Sequence, residues 1–525
     1  MYKMISLLIL LGGLIFLIRR KLVMTKLRRC GIDGPEPNLI SGNINDFLNK
    51  TIVEKYTEYV ERFGKTCGFY IGKKMNIITI DLELLRRIQI KDFDKFCDRQ
   101  LIPLKHGLRP NPKFTVDIIN ARGKRWKDMR KILNPTFSAM KLKTMAPIME
   151  SSIDIFIEKM LDCCRREIEF NIYEDFQLLT ADIITKSALG IDTDVQNDSN
   201  NRYYQAAKKL FEATPSKFLL MFMCFPEMDF FLYPFRRLLE IINEILGKSN
   251  QVILGKLVET AIRMRENKRF NDLLQLMLDA SFAINSFGGE KSLPEVSSEK
   301  SHFSPSSKIS LRSYSKAILS KNEIIANCNV FYEAGYETTS SALAFITHFL
   351  VNKPEIQDKV RAEMMEVHAT EGEFTYDSVN KLSYLQCVIN ETLRYYPPVI
   401  SFTRHSNEDY RYQNITIPKD SAIKIASYQI HHCEEYWPNH NVFDPERFRD
   451  KKSYDPIAFQ GFGNGPRNCI GVRFAMFEIK LALCKLLTQF KLLPGPRTEK
   501  ELTVESKLIS ETPKYGVFVR LAPIE

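Results

Sequence analysis

The sequence predicts a mainly α-helical chain with a smaller β portion, and three patterns support this fold class. Apolar residues recur every three or four positions over most of 40–280, which is the spacing of helices that bury one face. A second long helical pattern covers 320–352. Alternating apolar residues, which are typical of strands, are limited to short pieces that predict a hairpin at 68–80 and a strand–turn–strand at 415–425.

The bulk composition limits the class of protein. The chain has 525 residues, of which 44% are hydrophobic, so most of it is expected to bury a core. A net charge of +11 would suit nucleic acid, an anionic membrane or an acidic protein. The sequence has no basic stripe with interleaved aromatic residues and no zinc-finger spacing, so we expect no nucleic acid partner. The eleven cysteines include no Cys-x-x-Cys pair, which predicts free thiols in a reducing compartment.

The first element is an apolar stretch at 4–18, followed at once by six basic residues within 19–29. A helix of that stretch extends only about 22 Å, against about 27 Å for the hydrocarbon core of the endoplasmic reticulum membrane. A cleaved signal peptide is the alternative, but it would carry its basic residues ahead of the apolar run. We therefore expect a single-pass anchor in the endoplasmic reticulum membrane at 1–21, a basic, Pro/Gly-rich linker at 22–39 and a cytosolic body at 40–525.

Two stretches of the body differ in composition from their surroundings. The Phe- and Met-rich segment 218–235 predicts either an ordinary buried helix pair or a mobile apolar flap that touches membrane lipid and admits apolar ligands. The Ser-rich segment at about 281–320 has too few apolar residues to order itself, which predicts a solvent loop.

The long helix after this loop has clear start and stop signals. Ser320 and Glu323 form a capping box, and Pro354 ends the pattern after Asn352. A helix of this length extends about 48 Å, which is enough to cross the whole body.

The ten residues FGNGPRNCIG, at 462–471, are the strongest local signal. Cys469 lies just before a predicted helix, where backbone N–H groups and the helix dipole stabilise a thiolate. Gly463 and Gly465 before Cys469, and Gly471 after it, carry no side chains, which would let a flat, bulky partner molecule lie against the backbone. Arg467, two residues before the sulfur, could meet an anionic group at the edge of that partner.

This stretch resembles the Phe-x-x-Gly-x-Arg-x-Cys-x-Gly pattern of the cytochrome P450 superfamily at every specified position. The resemblance implies a helical body with a long central helix over haem b, and Cys469 as the axial thiolate ligand of the haem iron. It also implies that Phe462 packs near the sulfur and that Arg467 pairs with a haem propionate. Three longer segments are similar to the branch that contains drug-metabolising and xenobiotic-metabolising enzymes and thromboxane synthase, namely 334–345, 374–398 and 462–483.

Two further motifs bring opposite charges together. Glu391 and Arg394 lie three residues apart in NETLRYYPP, and Arg447 lies in FDPERF. Taken alone, a Glu-x-x-Arg pair would be a solvated surface bridge worth a few tenths of a kcal/mol. The resemblance implies instead that the three residues form a buried structural triad behind the haem, which serves folding and haem retention.

The motif AGYETTS lies on the long helix. Ala334 and Thr338 are four residues apart and share a face, and the small Ala334 and Gly335 open a space in the helix wall. The resemblance implies that O2 occupies this space and that Glu337 and Thr338 relay protons to it. The alternative is a helix whose threonine bonds to its own backbone. Glu333 departs from the family pattern, which usually has an apolar residue there.

The resemblance implies further partners for the haem propionates. Trp126 and Arg130 lie four residues apart in RWKDMRK, and Arg404 lies ten residues after Arg394. Arg99, in FCDR, is another candidate. Arginine suits such anions because its donors are planar and fixed.

A basic cluster surrounds Trp126 in the sequence. Taken alone, it predicts a solvated charged face. The family resemblance implies instead a dock for an acidic NADPH–cytochrome P450 reductase, with cytochrome b5 as a second candidate electron donor. Its members are Lys124, Arg125, Lys127, Lys131, Lys141 and Lys143.

The implied walls of the substrate pocket are mostly apolar, which favours a lipophilic small molecule. They are Phe331, Ala334, Thr338, Val399, Ile400 and Thr512.

The sequence therefore predicts a membrane-anchored haem-thiolate monooxygenase, which inserts one atom of O2 into a lipophilic molecule with NADPH-derived electrons. One rival is a haem-thiolate isomerase or dehydratase that rearranges lipid peroxides without a reductase. The retained Glu337–Thr338 pair argues against it, because such a reaction has less need of a proton relay. A second rival is a haem-binding membrane protein without catalysis, such as a carrier or sensor.

Overall fold

The computed structural model consists mainly of helices with short strands, as the sequence predicts. The residues that it describes are 2–100, 116–212, 224–225, 234, 237–238, 241–243, 245–246, 249–265, 269–270, 272–285, 319–450, 452–507 and 510–524. The principal helices are α1 (Tyr2–Met24), α2 (Lys26–Arg29), α3 (Ile52–Phe63), α4 (Leu82–Arg86), α5 (Gly123–Leu133), α6 (Ala139–Arg165), α7 (Ile172–Leu189), α8 (Arg202–Glu212), α9 (Asn250–Arg263), α10 (Leu273–Asn285), α11 (Lys321–Asn352), α12 (Pro354–Glu371), α13 (Tyr376–Val379), α14 (Ser383–Tyr395), α15 (Ser427–His431) and α16 (Val472–Leu487). The strands are β1 (Thr66–Ile71), β2 (Lys74–Thr79), β3 (Phe170–Asn171), β4 (Phe402–His405), β5 (Tyr410–Tyr412), β6 (Ile415–Ile417), β7 (Ala422–Ile425), β8 (Phe490–Leu493), β9 (Val504–Ser506), β10 (Glu511–Pro513) and β11 (Phe518–Pro523).

Helix α11 runs through the largest hydrophobic core, and its predicted bounds are confirmed. The Ser320 hydroxyl accepts the Glu323 N–H, and the Glu323 carboxylate accepts the Ser320 N–H, so both contacts of the capping box form. Helix α12 begins at Pro354 directly after it. Helix α7 packs closely along α11, because a Cβ at Gly335 would lie only 3.0 Å from the Ile184 side chain.

The main sheet has the strand order β1–β2–β7–β4. The hairpin predicted at 68–80 is confirmed as the antiparallel pair β1–β2. The strand–turn–strand predicted at 415–425 is confirmed as β6 and β7, and the two strands belong to different sheets. Strand β6 pairs with β5, whereas β7 pairs in parallel with β2 and antiparallel with β4. Alternating apolar residues identify strands, but they do not specify which strands pair.

The segment expected to be a linker at 22–39 packs partly on this sheet. Leu27 and Ile32 are buried beside Tyr70, in a hydrophobic cluster under the sheet. A Cβ at Gly34 would lie 1.7 Å from the Gly68 carbonyl oxygen, so only glycine permits this approach. The packed body therefore begins before residue 40.

The N-terminal apolar stretch forms most of the single helix α1. No helix among the described residues is both long enough and apolar enough to cross a membrane, so the anchor predicted at 1–21 is not confirmed. The buried Arg20 guanidinium at the end of α1 donates to the Cys224 carbonyl oxygen. Cys224, Phe225 and Pro234 are the only described residues of the segment 218–235, so both alternatives, a buried helix pair and an apolar flap, stay predictions.

The first positions of the Ser-rich loop predicted at about 281–320 are helical instead. Helix α10 continues to Asn285, and the next described residue is Leu319. The intervening positions, 286–318, lie outside the described residues, so the solvent loop stays a prediction.

Candidate functional site

The loop that carries Cys469 is folded back on itself just before α16. The Cys469 N–H donates to the Phe462 carbonyl oxygen at 2.8 Å, which closes the loop around the sulfur. Gly463 has a φ of 69°, in the left-handed region that favours glycine. A Cβ at Gly465 would lie 1.8 Å from the Gln89 carbonyl oxygen, so this glycine serves contact with the chain after α4 rather than room for a partner molecule.

A cavity of about 300 Å³ lies between this loop, α5, α11 and the segment after α14. Every residue of α11 from Glu323 to Val351 is buried except at four positions, and these four face the cavity. They are Val330, Ala334, Gly335 and Thr338. The loop contributes Gly461, Phe462, Gly463, Asn468, Cys469 and Gly471 to the same cavity.

The Cys469 side chain has accessible surface because it faces this cavity, not because it reaches the outside of the protein. Burial raises the pKa of the Cys469 thiol, and this effect outweighs the Gly471 N–H and the charges of Arg130 and Arg99, which favour the thiolate. The helix N-terminus alone therefore does not ionise the sulfur, which needs a cationic partner such as a metal to persist as a thiolate.

Four arginines surround the cavity or approach it. Arg99, Arg130 and Arg467 line the cavity, whereas Arg404 lies behind them and is fully buried. Arg130 donates to the backbone and side-chain oxygens of Asn468, both at 2.9 Å. Burial lowers the pKa of all four groups, that of Arg467 to about 9. Mutual repulsion adds to this effect at Arg404, which is close to Arg99 and Arg467.

The polar atoms of these arginines test whether the site suits haem. None of the four forms an ion pair with a carboxylate of the described residues, and the Nε atom of each is buried without a hydrogen-bond partner there. Arg404 also has an unpartnered Nη2 atom. Buried cations are normally paired, so this arrangement suits a ligand with anionic groups at its edge. Haem b has two propionates, and the glycine-lined wall beside Cys469 leaves space for a flat ring.

Trp126 lies in the same wall. Its indole is 3% exposed and lines the cavity, and the Arg467 guanidinium lies 4.7 Å from its ring centre. Helix α5 places Trp126 and Arg130 on one face, as their spacing predicts, and the structure brings both to the cavity.

The two residues predicted to relay protons face different ways. Thr338 lines the cavity, and its hydroxyl donates to the Ala334 carbonyl oxygen at 2.6 Å. Glu337 is buried and is not part of the described cavity wall. Its carboxylate lies 3.4 Å from the Tyr173 hydroxyl of α7. Glu333 is also buried on the same helix.

The predicted triad residues come together behind the cavity-lining segment. Arg394 donates to both carboxylate oxygens of Glu391, at 2.7 and 2.8 Å, and both side chains are fully buried. Arg447 approaches the same carboxylate at 3.4 Å. The Asp444 N–H donates to Glu391 at 3.0 Å, so the buried carboxylate is satisfied from several directions.

Two residues predicted to line the substrate pocket do not reach the cavity. Phe331 and Val399 line it, as do Ala334 and Thr338. Ile400 is buried away from it because successive side chains in an extended segment point to opposite sides. Thr512 is buried in β10 and is also absent from the described wall.

The predicted basic cluster is partly neutralised within the protein. Arg125 pairs with Glu323, Lys127 with Asp94 and Lys143 with Asp377. The three members that form no ion pair with described residues are Lys124, Lys131 and Lys141.

The sequence did not single out His431, which links the triad to the Cys469 loop. Its Nε2 atom accepts the Gln460 N–H at 2.8 Å, and its carbonyl oxygen accepts a hydrogen bond from Arg394. Burial lowers the pKa of His431 well below its usual range, so the ring stays neutral and can accept. Only the presence of a histidine after β7 could have drawn attention to it.

Comparisons with known proteins agree with this geometry. The family model described as cytochrome P450 matches residues 32–519. Thromboxane-A synthase of Rattus norvegicus is 31% identical over 510 residues, which cover 95% of this chain and 93% of that protein. Cytochrome P450 3A2 of Rattus norvegicus is 31% identical over 94% of this chain and 92% of its own length. Cytochrome P450 3A5 of Homo sapiens is 31% identical over 91% and 89%.

The match spans nearly the whole chain and includes the loop, helix and triad motifs described above. The chain therefore belongs to the cytochrome P450 family and is a haem-thiolate monooxygenase that uses haem b, O2 and NADPH-derived electrons.

Proposed function

We propose that this enzyme oxidises lipophilic small molecules, and the wall of its cavity is the observation that carries the proposal. Apolar side chains from several separate segments form most of that wall. Thr338 contributes a hydroxyl group to this wall. Apolar pockets with few polar groups bind ligands mainly by burying their apolar surface. The apolar members include Ile119, Phe137, Ile184, Val330, Phe331 and Val399.

Each predicted site residue receives a role in this proposal. Cys469 would hold the haem iron, and Phe462 would pack near the sulfur. The haem, when bound, supplies the iron that activates O2. The propionates would be held by Trp126 and by the four arginines Arg99, Arg130, Arg404 and Arg467. The unpartnered nitrogen atoms of the arginines support this assignment.

Thr338 and Glu337 handle protons in this proposal. Thr338 presents its hydroxyl to the cavity beside the small Ala334, where O2 would be accommodated. Glu337 is adjacent in sequence but turned toward α7, so it would have to change its side-chain rotamer to reach Thr338. Glu391, Arg394 and Arg447 would support the loop that holds Cys469, without taking part in chemistry.

Electrons would come from NADPH–cytochrome P450 reductase, with cytochrome b5 as a second donor. Lys124, Lys131 and Lys141 support such a dock because no described carboxylate neutralises them, whereas three other members of the basic cluster are paired.

Association with the endoplasmic reticulum membrane through α1 is also part of the proposal. Large apolar side chains along that helix are exposed, including Leu7, Leu10 and Leu14.

A second candidate function is the rearrangement of a lipid peroxide without a reductase. It is favoured by the likeness to thromboxane-A synthases, which is as strong as that to the 3A enzymes. The retained Thr338 and Glu337 support the monooxygenase assignment instead, because oxygen activation needs protons at the cavity.

The deciding experiment measures stoichiometry with purified enzyme and reductase. The proposal expects one NADPH and one O2 consumed for each product molecule from a lipophilic substrate. Turnover of a lipid peroxide without NADPH would support the second candidate. Cys469→Ala is the control, and it should abolish the thiolate-type band of the ferrous carbon monoxide complex.

A further inference from the structure

A cluster of buried polar side chains lies between α7 and α11, outside the cavity. The Tyr173 hydroxyl of α7 lies 3.4 Å from Glu337 Oε1 and 3.4 Å from Ser341 Oγ, both on α11. All three side chains are less than one-tenth exposed. A hydroxyl can donate one hydrogen bond and accept others, so Tyr173 can donate to Glu337 and accept from Ser341 at the same time.

This cluster extends along α7 toward α8. Gln177 lies one turn after Tyr173, and its side-chain oxygen accepts the Tyr204 hydroxyl at 3.5 Å. The neighbouring buried side chains of α7 include the apolar Phe176 and Leu179, and Thr180, whose hydroxyl donates to the Tyr336 carbonyl oxygen. Burying polar groups in such surroundings costs free energy unless their hydrogen bonds are made, so a purely structural seam would be better built from apolar residues.

The Tyr173 hydroxyl keeps its proton in this environment. Burial and the nearby Glu337 carboxylate raise the pKa of Tyr173 well above its usual range. Tyr173 therefore acts as a hydrogen-bond donor toward Glu337 and not as an acid. A donor to the charged form of a carboxylate stabilises that form.

We propose that Tyr173 is a positioning residue. Between proton transfers it holds the Glu337 side chain toward α7 and away from the cavity. The proposal rests on the proposed role of Glu337. In this cycle a proton from solvent binds the Glu337 carboxylate, and the neutral carboxyl group turns toward the cavity and gives its proton to the Thr338 hydroxyl. Thr338 passes its own proton into the cavity, the carboxylate returns to Tyr173, and Tyr173 retains its proton throughout.

The first test replaces Tyr173 by phenylalanine, which removes only the hydroxyl. Losing one hydrogen bond to a charged group should reduce coupling, so the ratio of released peroxide to product should rise about tenfold. The matched control is Tyr332→Phe, because Tyr332 is another buried tyrosine between α11 and α7 that contacts Thr185 and not Glu337. The control should leave that ratio unchanged, and both variants should keep the ferrous carbon monoxide band.

A second readout does not depend on turnover. The infrared band of the Glu337 carboxyl group, assigned by its loss in Glu337→Gln, should shift in Tyr173→Phe and stay in place in Tyr332→Phe. If Tyr173→Phe fails to bind haem, Ser341→Ala perturbs the Tyr173 hydroxyl through its other contact, and a smaller shift of the Glu337 band in the same direction is expected. An unshifted band in the folded variants overturns the proposal.

A double-mutant cycle distinguishes a positioning role of Tyr173 from a general contribution of Tyr173 to packing. Since Tyr173 acts through Glu337, Tyr173→Phe should add no further loss of coupling in a Glu337→Gln background. An equal loss in both backgrounds overturns the proposal, as does a Glu337→Gln variant that couples like wild type. Failure of the proposed function would instead appear in the wild-type enzyme, as NADPH and O2 consumption unrelated to product.

Discussion

Two fully buried arginines, Arg394 and Arg404, lie ten residues apart in the sequence but have opposite surroundings. Arg394 donates to both oxygens of Glu391 and to the carbonyl oxygens of His431 and His440, at 2.7–2.9 Å. Within the part of the chain that the structure describes, Arg404 makes one hydrogen bond, to the Thr403 carbonyl oxygen, and two of its nitrogen atoms have no partner. The protein completes the first site by itself, whereas the second has binding capacity left for an anionic ligand. The contrast indicates that a buried arginine marks structure or function according to its partners.

The largest effect is expected from Arg394→Met. It leaves the Glu391 carboxylate buried without its main cation, and removing one partner of a buried pair costs about 3–5 kcal/mol. We expect the free energy of unfolding to fall by that amount, with poor haem retention. Urea unfolding followed by circular dichroism measures it, and a loss below about 1 kcal/mol would contradict a structural role for the triad.

A second prediction concerns Glu511, a buried acid that forms no ion pair with any described residue. Ser506 donates to one carboxyl oxygen at 3.2 Å, and the other oxygen has no hydrogen-bond partner among the same residues. Burial raises the pKa of Glu511 from 4.5 to about 7. The native state therefore holds a proton that the unfolded chain has lost, and the free energy of unfolding should fall as pH rises from about 4.5 to 7, by roughly 3 kcal/mol in all.

Glu511→Gln should abolish that part of the pH dependence. The quantity to measure is the difference in unfolding free energy between wild type and variant at each pH. Burial lowers the pKa values of His348 and His432 to about 4, and their opposite contribution cancels in that difference. A difference that does not change between pH 4.5 and 7 would show that Glu511 is ionised in the native protein.

The third prediction is Arg404→Met, the counterpart of Arg394→Met. Removing a buried charge that lies close to Arg99 and Arg467 relieves repulsion and desolvation, so the haem-free chain should be as stable as wild type or about 1 kcal/mol more stable. Haem affinity should fall about tenfold because a propionate partner is lost. Thermal unfolding of the haem-free protein and haem transfer to an acceptor protein measure the two effects. A destabilised haem-free chain with unchanged haem affinity would mean that Arg404 is structural.

The comparison also explains what the sequence could and could not predict. The Cys469 motif is local, since ten consecutive residues determine the loop, and its position before α16 was predictable. The Glu-x-x-Arg spacing and the family resemblance assigned Arg394 to a buried triad and Arg404 to a haem propionate. The further partners of Arg394, the carbonyl oxygens of His431 and His440, come from distant segments and were not predictable from the sequence. The orientation of Glu337 toward Tyr173 likewise depends on how α7 packs on α11.

The pairing of the two strands predicted at 415–425 also depends on distant segments. Local alternation identified β6 and β7, but the partner of β7 is β2, which comes more than 300 residues earlier in the sequence. The resemblance predicted which residues gather at the cavity, and it did not predict that Ile400 and Thr512 would lie outside its wall. Long-range packing decides such positions, and a single sequence does not specify it.

The smallest expected effect comes from the exposed pair of Lys143 and Asp377. Their charged atoms are 2.6 Å apart, closer than the 2.7 Å between Glu391 and Arg394, but the two side chains are 48% and 67% exposed. Water and salt screen such a pair, so Lys143→Met should change the free energy of unfolding by less than about 0.5 kcal/mol, as measured by urea unfolding at two salt concentrations. A loss comparable with that of Arg394→Met would contradict the view that burial, and not ion-pair distance, sets the energetic difference between the two pairs.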